Sequence, residues 1–491
     1  MKTLYILTAL GVIAMLAEMF RFKKFLLPIV LIGLLGAIAS SVKDWNTNIH
    51  YYNYMMTFDN FAILFTIVLC ATAFLWFMMS QNFLDSDPIA IGSSKTDHYA
   101  LVLFALCGGM IMVSYSNMVM LFLGIEILSI PMYVLAGSRK DSLSSNEASL
   151  KYFLMGAFAT GFLLFGIALI YGATGTFDLK TLSYFISSSA TVPTWKVSGA
   201  EPLLYAGILM MLIGLCFKIS AVPFHFWAPD VYTGAPTPVT AFMATIVKTA
   251  AFAAFLRLFF TCFSGMGSVW MNTIWVLAAL TILLGNITAV YQTSVKRMLA
   301  YSSISHAGYM LLAILAMNDH SLGSVLFYAA AYSVATIGAF TVLSIIENHQ
   351  ATRNQQPATV TFETLSGLAK QNKFLSFAMT ISMLSLAGIP PLAGFFGKYY
   401  IFTSALQSGY VWLVLIAVLG SLIGVYYYFR IIIKMYSPSL TDLQAQPTAV
   451  EEKGELLSFA EVGWDLRIVL ILTILLALLL GIFPDFIIRL I

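Results

Sequence analysis

Along most of the chain, apolar residues run on without the polar interruptions of a water-exposed helix, and polar residues gather in short clusters between the runs. Read with a window of about 19 residues, these runs predict fourteen membrane-crossing helices. Their limits are 4–20, 25–42, 58–80, 99–115, 117–137, 148–172, 202–229, 236–262, 269–292, 298–317, 321–346, 374–407, 410–436 and 466–489. Only "SYSN" separates the fourth from the fifth. The twelfth is longer than the roughly 20 residues that one straight span needs.

Two of the runs are interrupted. Pro223 removes a backbone donor and its ring clashes with the carbonyl of Ile219. In "LAGIPPLAGFFGKYY", Pro390 and Pro391 free carbonyls near Leu386 and Ala387. Helices seven and twelve are therefore expected to be discontinuous, and broken backbone at membrane depth is tolerated only against protein or a water-lined cavity. The breaks lie five helices apart, which predicts two five-helix repeats, helices 4–8 and 9–13, with the second copy inverted. The expected organisation is residues 1–98 for helices 1–3, 99–262 and 269–436 for the repeats, and 437–491 for a cytoplasmic loop and helix 14.

Composition narrows the class. The 491 residues are 60% hydrophobic and 10% charged, against about 25% charged in soluble domains, so the chain reads as an all-α polytopic membrane protein. A net charge of +3 without a basic patch leaves nucleic acid no surface. Cys70, Cys107, Cys216 and Cys262 sit in apolar stretches with no CxxC pair, the pattern of small buried hydrophobes and not of a metal or disulfide site. The longest polar stretches, 347–373 and 437–465, hold neither a phosphate-binding glycine loop nor GxGxxG, so no nucleotide site is expected. The N-terminus opens into a span without a cleavage site or Arg-rich transit segment, so the first helix is expected to be retained. Fifteen Lys and Arg fall on the side of the loops after odd-numbered helices and six on the other, which places both termini on the non-cytoplasmic side.

Charge inside the membrane is the informative departure. Each such residue costs about 2.5–3.5 kcal/mol at a helix centre on insertion scales, yet Glu126, Lys151, Lys218, Lys248 and Lys398 all fall within helices. Glu126 shares a helix face with Ser129 and Tyr133. His225 follows Lys218 by seven residues, and His306 is flanked by Ser302 and Tyr309 at helical spacing. A desolvated lysine gives up its proton more readily and a nearby carboxylate reverses that, so lysines, histidines and hydroxyls on successive helices form a candidate proton relay. Lys151, three residues into its predicted helix and four after Glu147, reads equally as a helix-end lysine reaching for water. His225 and His306 read equally as hydrogen-bonded structural residues.

Three stretches, "FKISAVPFHFWAPDVYTGAPTPVTAFMATIVKTAAF" (217–252), "KRMLAYSSISHAGYM" (296–310) and "LAGIPPLAGFFGK" (386–398), resemble the antiporter-like subunits of respiratory complex I, the proton-translocating NADH:quinone oxidoreductase. The likeness runs from about helix four through helix thirteen. The chain lacks the long C-terminal extension of subunit L and carries Lys398 where subunit M typically has a glutamate. The resemblance implies a membrane-arm subunit with two half-channels joined by a polar axis. In it Glu126 would be the helix-five glutamate, Lys151 a lysine able to interact with it, and Lys218 the helix-seven lysine. Lys248 would be the connecting lysine and Lys398 the helix-twelve lysine, with His225 and His306 as further candidates. It also implies that NADH, FMN, the iron–sulfur clusters and quinone are bound by partner subunits and not by this chain. The expected partners are other membrane-arm subunits, lipid, protons and internal water, and the expected home is the bacterial inner membrane. A subunit of a multisubunit cation/proton antiporter is the alternative that the same residues serve.

Overall fold

The computed structural model describes residues 2–86, 95–187, 200–354, 359–438 and 462–485. Within them, thirteen helices are long and apolar enough to cross a membrane. The remaining predicted segment, the twelfth, is split into half-helices Lys373–Ala387 and Ala393–Gln407. Most of the polar loop read over 437–465 lies outside the described residues, as does the end of the last predicted helix.

Helices apolar on every side have to be surrounded by protein or lipid, and burial sorts them. The eighth span (Thr237–Thr261), the tenth (Val295–Ala316) and the eleventh (Asp319–Asn354) are enclosed by other spans almost throughout. The first two spans, Lys2–Met19 and Leu26–Lys43, and the last, Trp464–Ile482, keep most of their surface outward. The ionisable residues of interest thus sit on the enclosed helices or face them. Among the described residues, the only paired strands are a small hairpin joining Ile49–Tyr51 to Met56–Phe58. A short surface helix, Leu179–Ser187, also escapes a hydropathy window.

Among the boundaries that differ from the sequence reading, three bear on the charged residues of interest. The sixth span begins at Leu143, where Ser142 caps it by accepting from the Ser145 N–H, so Lys151 and Glu147 are both helical neighbours. The tenth begins at Val295, capped by Ser294, which brings Lys296 into the span. The eleventh continues to Asn354, past the predicted end at 346, and takes in Glu347. Hydropathy marks where apolar residues stop, whereas a helix continues through any residue that keeps its backbone bonds.

Both prolines break their helices as expected. The seventh span, Glu201–Ile219, ends four residues before Pro223 and resumes as Trp227–Gly234. The first half of the twelfth ends at Ala387, four residues before Pro391. Each end is capped by a left-handed residue, Ser220 (φ 62°) and Gly388 (φ 85°). Each closes with a bond from the next residue back five positions, Ala221 to Cys216 and Ile389 to Leu384. Val222–Pro223 and Pro390–Pro391 are both cis.

Candidate functional site

At the first break, Lys218 occupies the last turn and is only 2% exposed. Its ammonium donates to Ser129 Oγ at 2.5 Å, and Ser129 in turn donates to the Ile125 carbonyl on the fifth span, Met118–Ala136. The rings of Tyr133 and Tyr152 stand 5.7 Å from the same nitrogen, close enough for cation–π attraction. Tyr133 fits because Gly156 faces it: a Cβ there would lie 2.2 Å from the Tyr133 hydroxyl. Trp227, first residue beyond the break, stacks on Tyr152 at 4.7 Å and donates its indole N–H to the Phe217 carbonyl. Lys218 therefore lies in an aromatic box with a single hydroxyl contact. Glu126 is half-buried on the Ser129 helix.

The second break is wired differently. Lys398 donates to the Ala387 carbonyl at 2.7 Å, the acceptor that Pro391 cannot serve, and to Ser421 Oγ at 2.9 Å. The ring of Tyr309 lies 5.4 Å from its nitrogen. Lys248 follows a π-helical turn, Met243–Val247, a local distortion frequent at functional sites. Its ammonium donates to both the carbonyl and the hydroxyl of Ser303, each at 2.6 Å, and Tyr332 donates to the same hydroxyl at 2.9 Å. His306 is held between the hydroxyls of Tyr328 (2.5 Å) and Tyr428 (2.9 Å), and Tyr428 also bonds Ser302. A cavity of about 10 Å³ lies among His306, Tyr328, Tyr332, Ser385 and Lys398, enough for one water. Lys248, Ser303 and Tyr332 are thus joined by hydrogen bonds, and Tyr332, His306 and Lys398 meet at the same small cavity to form one buried polar cluster.

The remaining expected residues fall elsewhere. Lys151 pairs with Glu147 at 2.6 Å and Asp230 at 2.7 Å, and Asp230 also pairs with Arg297 at 3.0 Å. Its partners here are thus these two carboxylates and not Glu126. His225 lies in the broken stretch after Ile219, so the seven-residue spacing from Lys218 does not place both on one helix face. Its Nδ1 has no hydrogen-bond partner among the described residues.

Several members of the second cluster were missed from sequence. Ser303, Tyr328, Tyr332 and Tyr428 supply most of its hydrogen bonds. The signal for Tyr328 and Tyr332 lay in the eleventh span, where Ser324, Tyr328, Tyr332 and Thr336 recur every fourth residue.

The chain resembles known proteins over its whole length. Residues 116–424 match the NADH:quinone oxidoreductase/Mrp antiporter transmembrane family. NADH-quinone oxidoreductase subunit N of Cytophaga hutchinsonii is 43% identical over 490 residues, covering 100% of this chain and 99% of that one. Subunit N of Flavobacterium johnsoniae is 42% identical, covering 89% of this chain and 91% of its own. A chain of respiratory complex I from Thermus thermophilus superposes with a TM-score of 0.78 at 33% identity, covering 99% of this chain and 98% of that one. A chain of the Mrp complex from Dietzia shares the fold, with a TM-score of 0.81 at 21% identity over 99% of this chain and 94% of its own. The chain belongs to the NADH:quinone oxidoreductase/Mrp antiporter transmembrane family, beside the relatives named as subunit N of NADH-quinone oxidoreductase.

Proposed function

We propose that this chain moves protons across the bacterial inner membrane as a membrane-arm subunit of NADH:quinone oxidoreductase. Electron transfer from NADH to quinone takes place in partner subunits, which carry the FMN and iron–sulfur clusters. The observation that carries the reading is the buried Lys248–Ser303–Tyr332 bonding, with Lys398 and His306 around one water-sized cavity. Burying several ionisable groups in an apolar bundle is costly, and that cost is tolerated where the groups mark an ion pathway. The two broken helices add support, since paired interruptions belong to ion sites built from inverted repeats. In this scheme Lys218 and Lys398 hold protons at the two breaks and Lys248 connects them. Glu126 supplies the charge that biases Lys218, and Lys151 is released from or held by its carboxylates as the state changes. Residues 99–262 and 269–436 form the two repeats, and both termini lie on the non-cytoplasmic side.

The test is Lys218→Ala in the assembled complex, reconstituted in vesicles. Normal assembly and electron transfer with impaired proton pumping is the expected result; full pumping would refute the assignment of Lys218.

A further inference from the structure

Outside these clusters, one group of buried ionisable residues has no role in the scheme above. Glu347, near the end of the eleventh span, is 7% exposed, and Lys296, at the start of the tenth, is 5% exposed. Thr237, first residue of the eighth span, donates its hydroxyl to Glu347. Lys296 donates to the Ala235 carbonyl at 2.6 Å, within the electrostatic reach of Glu347. Residues 348–350, which follow Glu347 directly, are half-buried, and Ala351, one turn beyond the carboxylate, is buried again.

The position matters because the eighth and eleventh spans pack side by side from this cluster to the relay. Thr237 opens the eighth span, and Lys248 lies further along it by roughly 16 Å of helix rise. On the facing helix, Ser344 and Thr336 are buried between Glu347 and Tyr332. The Thr336 hydroxyl lies beside Tyr332 yet completes no hydrogen bond of its own among the described residues. A buried hydroxyl left in that state needs a partner. Thr336 lies near the same helix face as Glu347, toward Tyr332.

We propose that Glu347 is a proton-uptake carboxylate that feeds Lys248 from the cytoplasmic side. The carboxylate takes a proton from bulk water, and the neutral carboxyl passes it inward along the Ser344–Thr336 route to an uncharged Lys248. The step leaves a carboxylate and an ammonium. Lys296 stands within electrostatic reach of the carboxylate, and Thr237 orients it. This rests on the relay reading of Lys248.

The experiment measures protons pumped per NADH oxidised in vesicles holding the whole complex, with assembly checked on native gels. Glu347→Gln keeps an oxygen for Thr237 but cannot carry the proton, and it should lose as much pumping as Lys248→Met. Glu347→Asp, which keeps a carboxylate, should restore much of it. If Glu347→Gln fails to assemble, Thr336→Val takes its place, with the same loss expected. Normal pumping in Glu347→Gln or its substitute, with pumping lost in Lys248→Met, overturns the uptake proposal alone. A loss in Glu347→Asp equal to that in Glu347→Gln makes the cluster a structural clamp and overturns it too. Normal pumping in Lys248→Met overturns the relay reading, and the uptake proposal with it.

Discussion

The two breaks share a backbone and differ in chemistry. Both helices end four residues before a proline, turn through a left-handed residue and close with the same backward bond. At the second, Lys398 folds back to serve the carbonyl that the proline has freed. At the first, Lys218 precedes its proline, turns away to Ser129, and leaves Trp227 to serve the Phe217 carbonyl. The left-handed residue differs accordingly. Lys398 passes directly over Gly388, where a Cβ would lie 2.9 Å from the lysine Cδ. Lys218 makes no such crossing, and Ser220 is accommodated. A common break therefore supports one lysine joined to a polar cluster and another shut in an aromatic box.

Substitutions at matched positions separate these roles. The largest effect is expected for Lys398→Met, which leaves the Ala387 carbonyl without its donor and takes the ammonium out of the cluster. Proton pumping per NADH should fall several-fold while electron transfer continues. Gly388→Ala should come next. It sets a side chain in a left-handed conformation, at about 1–2 kcal/mol, and crowds Lys398, so thermal stability and pumping should both drop. Trp227→Phe removes the indole bond to the Phe217 carbonyl, which keeps its bond from the Ser220 N–H, a cost of about 0.5–1.5 kcal/mol. A lowered melting temperature of the complex would register it, with pumping less affected than in Lys398→Met. The smallest effect is expected for Ser220→Gly, within roughly 1 kcal/mol of neutral. If Ser220→Gly and Gly388→Ala proved equally harmful, the distinction between the breaks would fail.

Much of this was legible in the sequence for identifiable reasons. Pro223 and the Pro390–Pro391 pair marked both breaks, although proline alone does not end a helix, since Pro131 lies inside the fifth span. Lysines in apolar runs are conspicuous, and Lys218, Lys248 and Lys398 are all buried. What sequence does not encode locally is which distant group a side chain meets. Lys151 could not be assigned to Asp230 because they are 79 positions apart and joined by the turn at the break. Helical spacing drew attention to Ser302 and Tyr309, while the contact with Lys248 is made by Ser303. Lys296 and Glu347 were lost to the loops because hydropathy cut their helices short at polar residues.

The central claim is that protons pass through the cluster joining Lys248 to Lys398. It is tested most directly by Lys248→Met in the intact complex, measuring protons pumped against NADH oxidised in sealed vesicles. The account requires normal assembly and sustained NADH oxidation with a lowered proton-to-electron ratio. An unchanged ratio in a fully assembled complex would contradict it.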